Sequence, residues 1–140
     1  MAYLTANTKV GTGVQYDFYQ HRFYGGDTYF HYKTNIQLAT YIMFMIEAIG
    51  YAYGANSPIR ASWVGYSYDY LANPNTATVY GGLSAHGVYV SSDSRICIRA
   101  NAASYFSGWC FNAYTLNPTG YGHNVQFTAV SQNANSGNYY

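Results

Sequence analysis

Charge is what this chain has least of. Only 8% of its 140 residues are Asp, Glu, Lys or Arg, against about 25% in an average soluble domain and roughly 25–35% on the surface of a comfortable monomer. The six basic residues, Lys9, Arg22, Lys33, Arg60, Arg95 and Arg99, are scattered, and the net charge is +1. Without a basic block there is no electrostatic track for phosphates, which argues against a nucleic-acid partner. Two cysteines, Cys97 and Cys110, are too few for a disulfide scaffold. They read as free buried thiols acting as small hydrophobes, with a bond across a hairpin as the alternative. No basic and apolar leader opens the sequence, so no secretory signal is expected. The most apolar run, Leu38 to Tyr53, is broken by Glu47 and falls short of the roughly 20 residues a membrane helix needs, so no membrane insertion is expected. Asn117-Pro118-Thr119 carries the proline that forbids glycosylation. Together these absences point to synthesis in a bacterial-type cytoplasm.

Catalytic patterns are missing too. There is no GxSxG elbow, phosphate-binding loop, GxGxxG turn or HExxH helix. The carboxylates Asp17, Asp27, Glu47, Asp69 and Asp93 fall in five different segments, and nothing in their spacing suggests the facing pair of a glycosidase. His21, His31, His86 and His123 make no metal-binding pair; His21, His31 and Asp27 together would be a thin site. The expectation is a protein that is not an enzyme and uses no cofactor or metal.

What the chain has instead is tyrosine, nineteen of them, with Asn, Ser, Thr and Gly. Tyrosine, Phe, Trp, Val, Ile and Thr favour strands, and Gly, Asn and Pro punctuate at short intervals. Strands are expected at 14–24, 28–36, 41–53, 59–68, 79–80, 87–90, 95–100, 108–114 and 124–130, with a hairpin turn at Gly25-Gly26-Asp27, a turn at 54–58 and a polar loop at 71–75. Eight or nine short strands with almost no helix predict an all-β, antiparallel β-sandwich, jelly-roll-like. Residues 1–13 read as an N-terminal arm, 14–130 as the sandwich domain, and 131–140 as an Asn/Ser/Tyr tail docked on a partner subunit.

Alternation assigns faces. Phe44, Ile46 and Ala48 share one side of the 41–53 strand; Met43, Met45, Glu47 and Ile49 share the other. Both sides are largely apolar, so the second must pack on something, and another subunit is the natural candidate. Interface residues are therefore expected at Met43, Met45, Tyr51, Tyr53, Tyr139 and Tyr140. A turn at 54–57 puts Glu47 opposite Val64, so a slipped register or a bulge is needed for Glu47 to pair with a buried Arg60. On the 95–100 strand, Arg95, Cys97 and Arg99 face one way, while Ile96 and Ile98 face the core. Aromatic rings that stay exposed can stack on sugars, with Asn and Asp meeting hydroxyls. The candidate loops hold Tyr66, Tyr68, Asp69, Tyr70 and Asn73, and Tyr105 and Trp109.

Three stretches carry a resemblance: 22–35 (RFYGGDTYFHYKTN), 46–54 (IEAIGYAYG) and 116–122 (LNPTGYG). They resemble the Gly/Tyr/Asn-rich β-domains of tailed-bacteriophage virion proteins, of the tail-fibre, head-fibre-tip and capsid-decoration kind. The resemblance implies a β-rich homo-oligomer, with a trimer favoured, located in the virion among other virion proteins. The expected role is a fibre or adhesin tip contacting host surface glycans. The alternatives are a capsid-decorating or filament-forming subunit without ligand, and a soluble microbial lectin.

Overall fold

The computed structural model describes residues 9–10, 13–15, 28–102, 106–116 and 125–140. Among them are ten strands and no helix: β1 Lys9–Val10, β2 Gly13–Gln15, β3 Thr28–Gln37, β4 Met43–Ala52, β5 Ser57–Ser67, β6 Leu71–Thr78, β7 Ser84–Val90, β8 Arg95–Ala102, β9 Ser107–Leu116 and β10 Phe127–Asn133. They form two antiparallel sheets. One is six-stranded, in the order β1-β2-β9-β4-β5-β6; the other is four-stranded, in the order β10-β3-β8-β7. The expected all-β sandwich is what the chain forms.

Period-two alternation builds the core. Along β4, Phe44, Ile46, Ala48 and Ala52 are buried while Met43, Met45, Ile49 and Tyr51 are exposed. Trp63 of β5 and Trp109, Phe111 and Ala113 of β9 join the buried side. Phe30, Tyr32, Ile96, Ile98 and Ala100 meet them from the other sheet. Edge-on ring contacts cross the gap between sheets: Phe30 to Trp109 at 5.1 Å and Tyr32 to Phe111 at 4.8 Å between centroids. Phe127 closes onto Phe111 at 4.8 Å. Each such pair contributes about 0.5–1.5 kcal/mol beyond its buried area. Trp63 Nε1 also donates to the Arg99 carbonyl at 3.0 Å, tying β5 to β8 across the core.

Several expectations change. Residues 71–75 are not a loop but the start of edge strand β6; a bulge opposite Gly65 absorbs Asn73 and Pro74, and an edge tolerates a proline that a central strand would not. Val79 and Tyr80 lie in the bend after β6 rather than in a strand. β10 runs on to Asn133, past the expected boundary at 130. Within the supposed arm, Lys9–Val10 pairs with Gly13–Val14, and β2 extends along β9. The remainder of the expected 14–24 strand, from Tyr16 on, and the Gly25-Gly26-Asp27 turn lie outside the described residues. The β4–β5 turn is Tyr53–Asn56, with Asn56 at φ 47° and its N–H on the Tyr53 carbonyl. That turn slides the register by two, so Glu47 faces Ser62 and Ile49 faces Arg60. Cys97 and Cys110 fall on consecutive strands of different sheets, and both are free.

Gly50 marks the tightest place. A Cβ there would lie 2.0 Å from the Gly108 carbonyl oxygen and 2.8 Å from Trp109 Cβ. Gly50→Ala should therefore cost about 3 kcal/mol and lower the melting temperature by roughly 10 °C or more. Gly81→Ala, with nothing near its added carbon, should melt like the wild type; equal melting of the two variants would contradict this account of the core. Adding a reductant should leave the melting temperature unchanged, since neither thiol is bonded.

Candidate functional site

The outward side of the six-stranded sheet is the first surface to consider. Register places its residues in rows across β9, β4 and β5. Leu116, Met43 and Tyr66 form one row, and Tyr114, Met45 and Val64 the next. Asn112, Glu47 and Ser62 follow, then Cys110, Ile49 and Arg60. Met43, Met45, Ile49, Tyr51, Tyr114 and Leu116 are all exposed. A shallow apolar depression opens between Met43, Met45, Tyr114 and Leu116. Monomers rarely expose a contiguous apolar patch above a few hundred Å², and larger ones mark interaction sites.

Glu47 sits in the middle of this face. The slipped register sets it diagonal to Arg60, whose Nε lies 3.6 Å from Glu47 Oε2. The expectation of a buried pair is corrected: the Arg60 side chain is 60% exposed, against 14% for Glu47. One solvated partner makes this a surface ion pair, worth no more than about 1 kcal/mol. Glu47→Gln should therefore shift stability by less than about 1 kcal/mol in a denaturant titration; a loss of several times that would mean the charge is needed in the core.

The second surface is a shelf of tyrosines at one end of the same sheet. Two loops build it, the turn after β5 carrying Tyr68, Asp69 and Tyr70, and the β3–β4 connection carrying Tyr41. The loops are stitched together by backbone: Ala39 N–H donates to Tyr68 O at 2.7 Å, and Tyr41 N–H to Ser67 O at 2.9 Å. Ser67 Oγ accepts from Ile42 N–H at 3.0 Å and pairs with Thr40 Oγ1 at 2.9 Å. Ala39 and Tyr41 are held at φ 62° and 56°, a region that non-glycine residues occupy only when their surroundings impose it. Tyr68 is the centre. Its ring lies 5.5 Å from Tyr41, 5.9 Å from Tyr66 and 5.7 Å from Tyr70. Tyr41 Oη donates to Asp69 Oδ1 at 3.3 Å, and the carboxylate raises the Tyr41 pKa. The result is a fixed aromatic cluster, exposed at Tyr41, Tyr68 and Tyr70 and half-buried at Tyr66, with a carboxylate at its rim.

Of the sequence-predicted stacking residues, the structure thus brings together Tyr66, Tyr68, Asp69 and Tyr70. Asn73 is exposed in the β6 bulge, and among the described residues no hydrogen bond or ring contact ties it to the shelf. Trp109 is corrected outright. It is fully buried and packed on Phe30, because it shares the inward phase of β9 with Phe111 and Ala113. Tyr105 lies outside the described residues. Tyr41 was missed; its positive φ and its place in a loop 25 residues before Tyr66 left no signal in the sequence.

Among the expected interface residues, Met43, Met45 and Tyr51 line the exposed sheet face, and Tyr53 projects from the β4–β5 turn against Phe106 at 6.4 Å. Tyr139 and Tyr140 are different. Within its own chain the tail packs on the four-stranded sheet, with the Tyr139 ring tilted against His31 at 5.4 Å and Lys33 Nζ 5.4 Å over the Tyr140 ring, and Tyr139 stays half exposed. No cluster of three or more His, Cys, Asp or Glu occurs among the described residues, and His21, Asp27 and Asp17 lie outside them. No helix among them is long and apolar enough to cross a membrane. No family model, curated protein or solved structure matches this chain.

Proposed function

We propose that this protein is a non-enzymatic, homo-oligomeric virion component of the bacteriophage kind, a fibre or adhesin tip that contacts host surface glycans. The observation that carries the reading is the uncovered outer face of the six-stranded sheet. A ten-residue strand is about 34 Å long, and three neighbours at about 4.8 Å spacing give roughly 500 Å² of face. Two copies brought together would remove about 1,000 Å², the threshold for a specific interface. A second copy is the occupant proposed, because the face is largely apolar and its two charges, Glu47 and Arg60, already pair with each other, so burying it strands no lone charge. The trimer that the resemblance favours requires a head-to-tail contact, each copy's bare face meeting a different surface of the next, and other virion proteins are the further partners. The Tyr41–Tyr66–Tyr68–Tyr70 shelf with Asp69 supplies the glycan contact, through ring stacking and hydrogen bonds to hydroxyls.

A second reading has its own support. Tyr66 belongs both to the shelf and to the Leu116–Met43–Tyr66 row. An interface covering that whole row would occlude part of the shelf, leaving a capsid-decorating or filament-forming subunit with no ligand.

Two experiments separate these. Met45→Asp puts a carboxylate at the centre of the proposed contact, and sedimentation should show the oligomer falling to monomers. An unchanged assembly would remove the interface. On a glycan array, wild-type protein should bind and Tyr68→Ala should lose about five-fold or more, taking the roughly 1–3 kcal/mol of a base stacked on an aromatic ring as the scale. An assembled wild type that binds no glycan would favour the purely structural subunit.

A further inference from the structure

His31 is fully buried, although it lies on the outward side of the four-stranded sheet. What covers it is the chain's own last segment. Beyond β10, residues 134–140 fold back over β3, β8 and β7. Asn133 Oδ1 accepts from Asn135 N–H at 2.7 Å, and Asn135 Oδ1 from Gly137 N–H at 2.8 Å, which turns the chain. Three side chains then clamp it. His31 Nε2 donates to the Asn135 carbonyl at 2.8 Å. Arg99 Nη1 donates to the Gly137 carbonyl at 2.7 Å. Tyr89 Oη accepts from the N–H groups of Tyr139 and Tyr140 at 3.4 and 3.5 Å.

We propose that this segment is an acid-released strap, held down while His31 is neutral and freed when its imidazole takes up a proton. The geometry fixes the tautomer. Nε2 faces a carbonyl, so it carries the hydrogen, and Nδ1 is the lone pair that accepts from Tyr89 O–H at 3.0 Å. Protonation at Nδ1 replaces that acceptor with a donor. The Tyr89 oxygen then faces three donors, His31 Nδ1–H and the N–H groups of Tyr139 and Tyr140, while its own hydrogen loses its acceptor. Something must yield, and the two long bonds to the strap are the weakest.

The charges around His31 push the same way. From β8, Arg99 is its cross-strand partner, with Cys97 in the next row. From β7 come Tyr89 and, as the extra residue of a bulge, His86. From its own strand comes Lys33, from β10 the uncharged Ser131, and from the strap Tyr139 and Tyr140. The one charge acting on His31 among the described residues is that of Arg99, and burial together with that cation lowers the imidazole pKa. Asp93 is engaged elsewhere, with Lys33 at 3.1 Å and Arg95 at 3.4 Å. His86 reinforces the effect: its Nδ1 accepts from Arg99 Nε at 3.0 Å, and burial and Arg99 lower its pKa. A proton there breaks the bond that orients Arg99 towards Gly137. The strapped state therefore binds fewer protons than the released one. It is fully favoured above the free-imidazole value near 6.5, and acidification below that value shifts the balance towards release.

The test is amide hydrogen exchange at Gly137, Tyr139 and Tyr140, read as protection factors at pH 7.5 and 5.0, with β4 amides as an internal reference. Protection in the strap should fall at least ten-fold while β4 stays protected. In a companion titration of the wild type by NMR, the strap amides should shift with the same midpoint as the His31 ring. His31→Gln keeps a donor for Asn135 and an acceptor for Tyr89 but cannot gain a proton; at pH 5.0 it should retain at least ten-fold more strap protection than wild type. Unchanged protection in the wild type, an equal loss in His31→Gln, or a His31 ring that titrates without moving the strap would each overturn the proposal. The wild-type measurements decide the matter even if the variant does not fold.

Discussion

The edge-on rings between the sheets are the contact on which the rest depends. Phe30 meets Trp109, Tyr32 meets Phe111, and Phe127 leans on Phe111. These side chains are large enough to fill the gap of about 10 Å between stacked sheets. Within the six-stranded sheet, β4 keeps a bare Gly50 where the backbone of Gly108 and Trp109 on β9 comes close. Once they fix which side of each strand points inward, alternation sends the remaining residues outward. A chain with 8% charge then has aromatic and aliphatic side chains to place there.

The two outer faces solve that problem differently. On the four-stranded sheet the chain covers itself. Its last residues cross His31, Tyr89 and Arg99, and Tyr139 and Tyr140 add their own rings. Arg99 is the hub, since its carbonyl receives Trp63 from the core while its guanidinium holds the tail. Gly87 makes room for it; a Cβ there would sit 2.8 Å from Arg99 Nη2. On the six-stranded sheet, Met43, Met45, Ile49 and Tyr51 remain exposed. The contrast between a strapped face and a bare one is the structural basis for proposing that a second copy covers the bare one.

Much of the fold was legible because strand alternation is local. The inward set Phe44, Ile46 and Ala48 and the outward set Met43, Met45 and Ile49 follow from sequence parity alone, as do Ile96 and Ile98 against Arg95 and Arg99. Parity also had the information to bury Trp109 with Phe111 and Ala113, but an aromatic next to a loop reads equally well as exposed. Register was not legible, because it hangs on which four residues make the β4–β5 turn, and one choice separates Glu47 facing Val64 from Glu47 facing Ser62. The bulges at Asn73–Pro74 and His86 are likewise decided by the neighbouring strand. The tail clamp was out of reach, since His31 finds Tyr89 58 residues away and Asn135 104 residues away. Three of the four shelf tyrosines were visible, as a run of alternating tyrosines; Tyr41 joined them only through the folded loops.

The most direct measurement is the molar mass of the purified protein by light scattering behind a sizing column at two concentrations. A fixed multiple of 15.6 kDa that does not change on dilution is expected, three-fold for the favoured trimer. A mass of 15.6 kDa at both concentrations would mean that the bare sheet face stays bare in solution, and would contradict the claim that a second copy covers it.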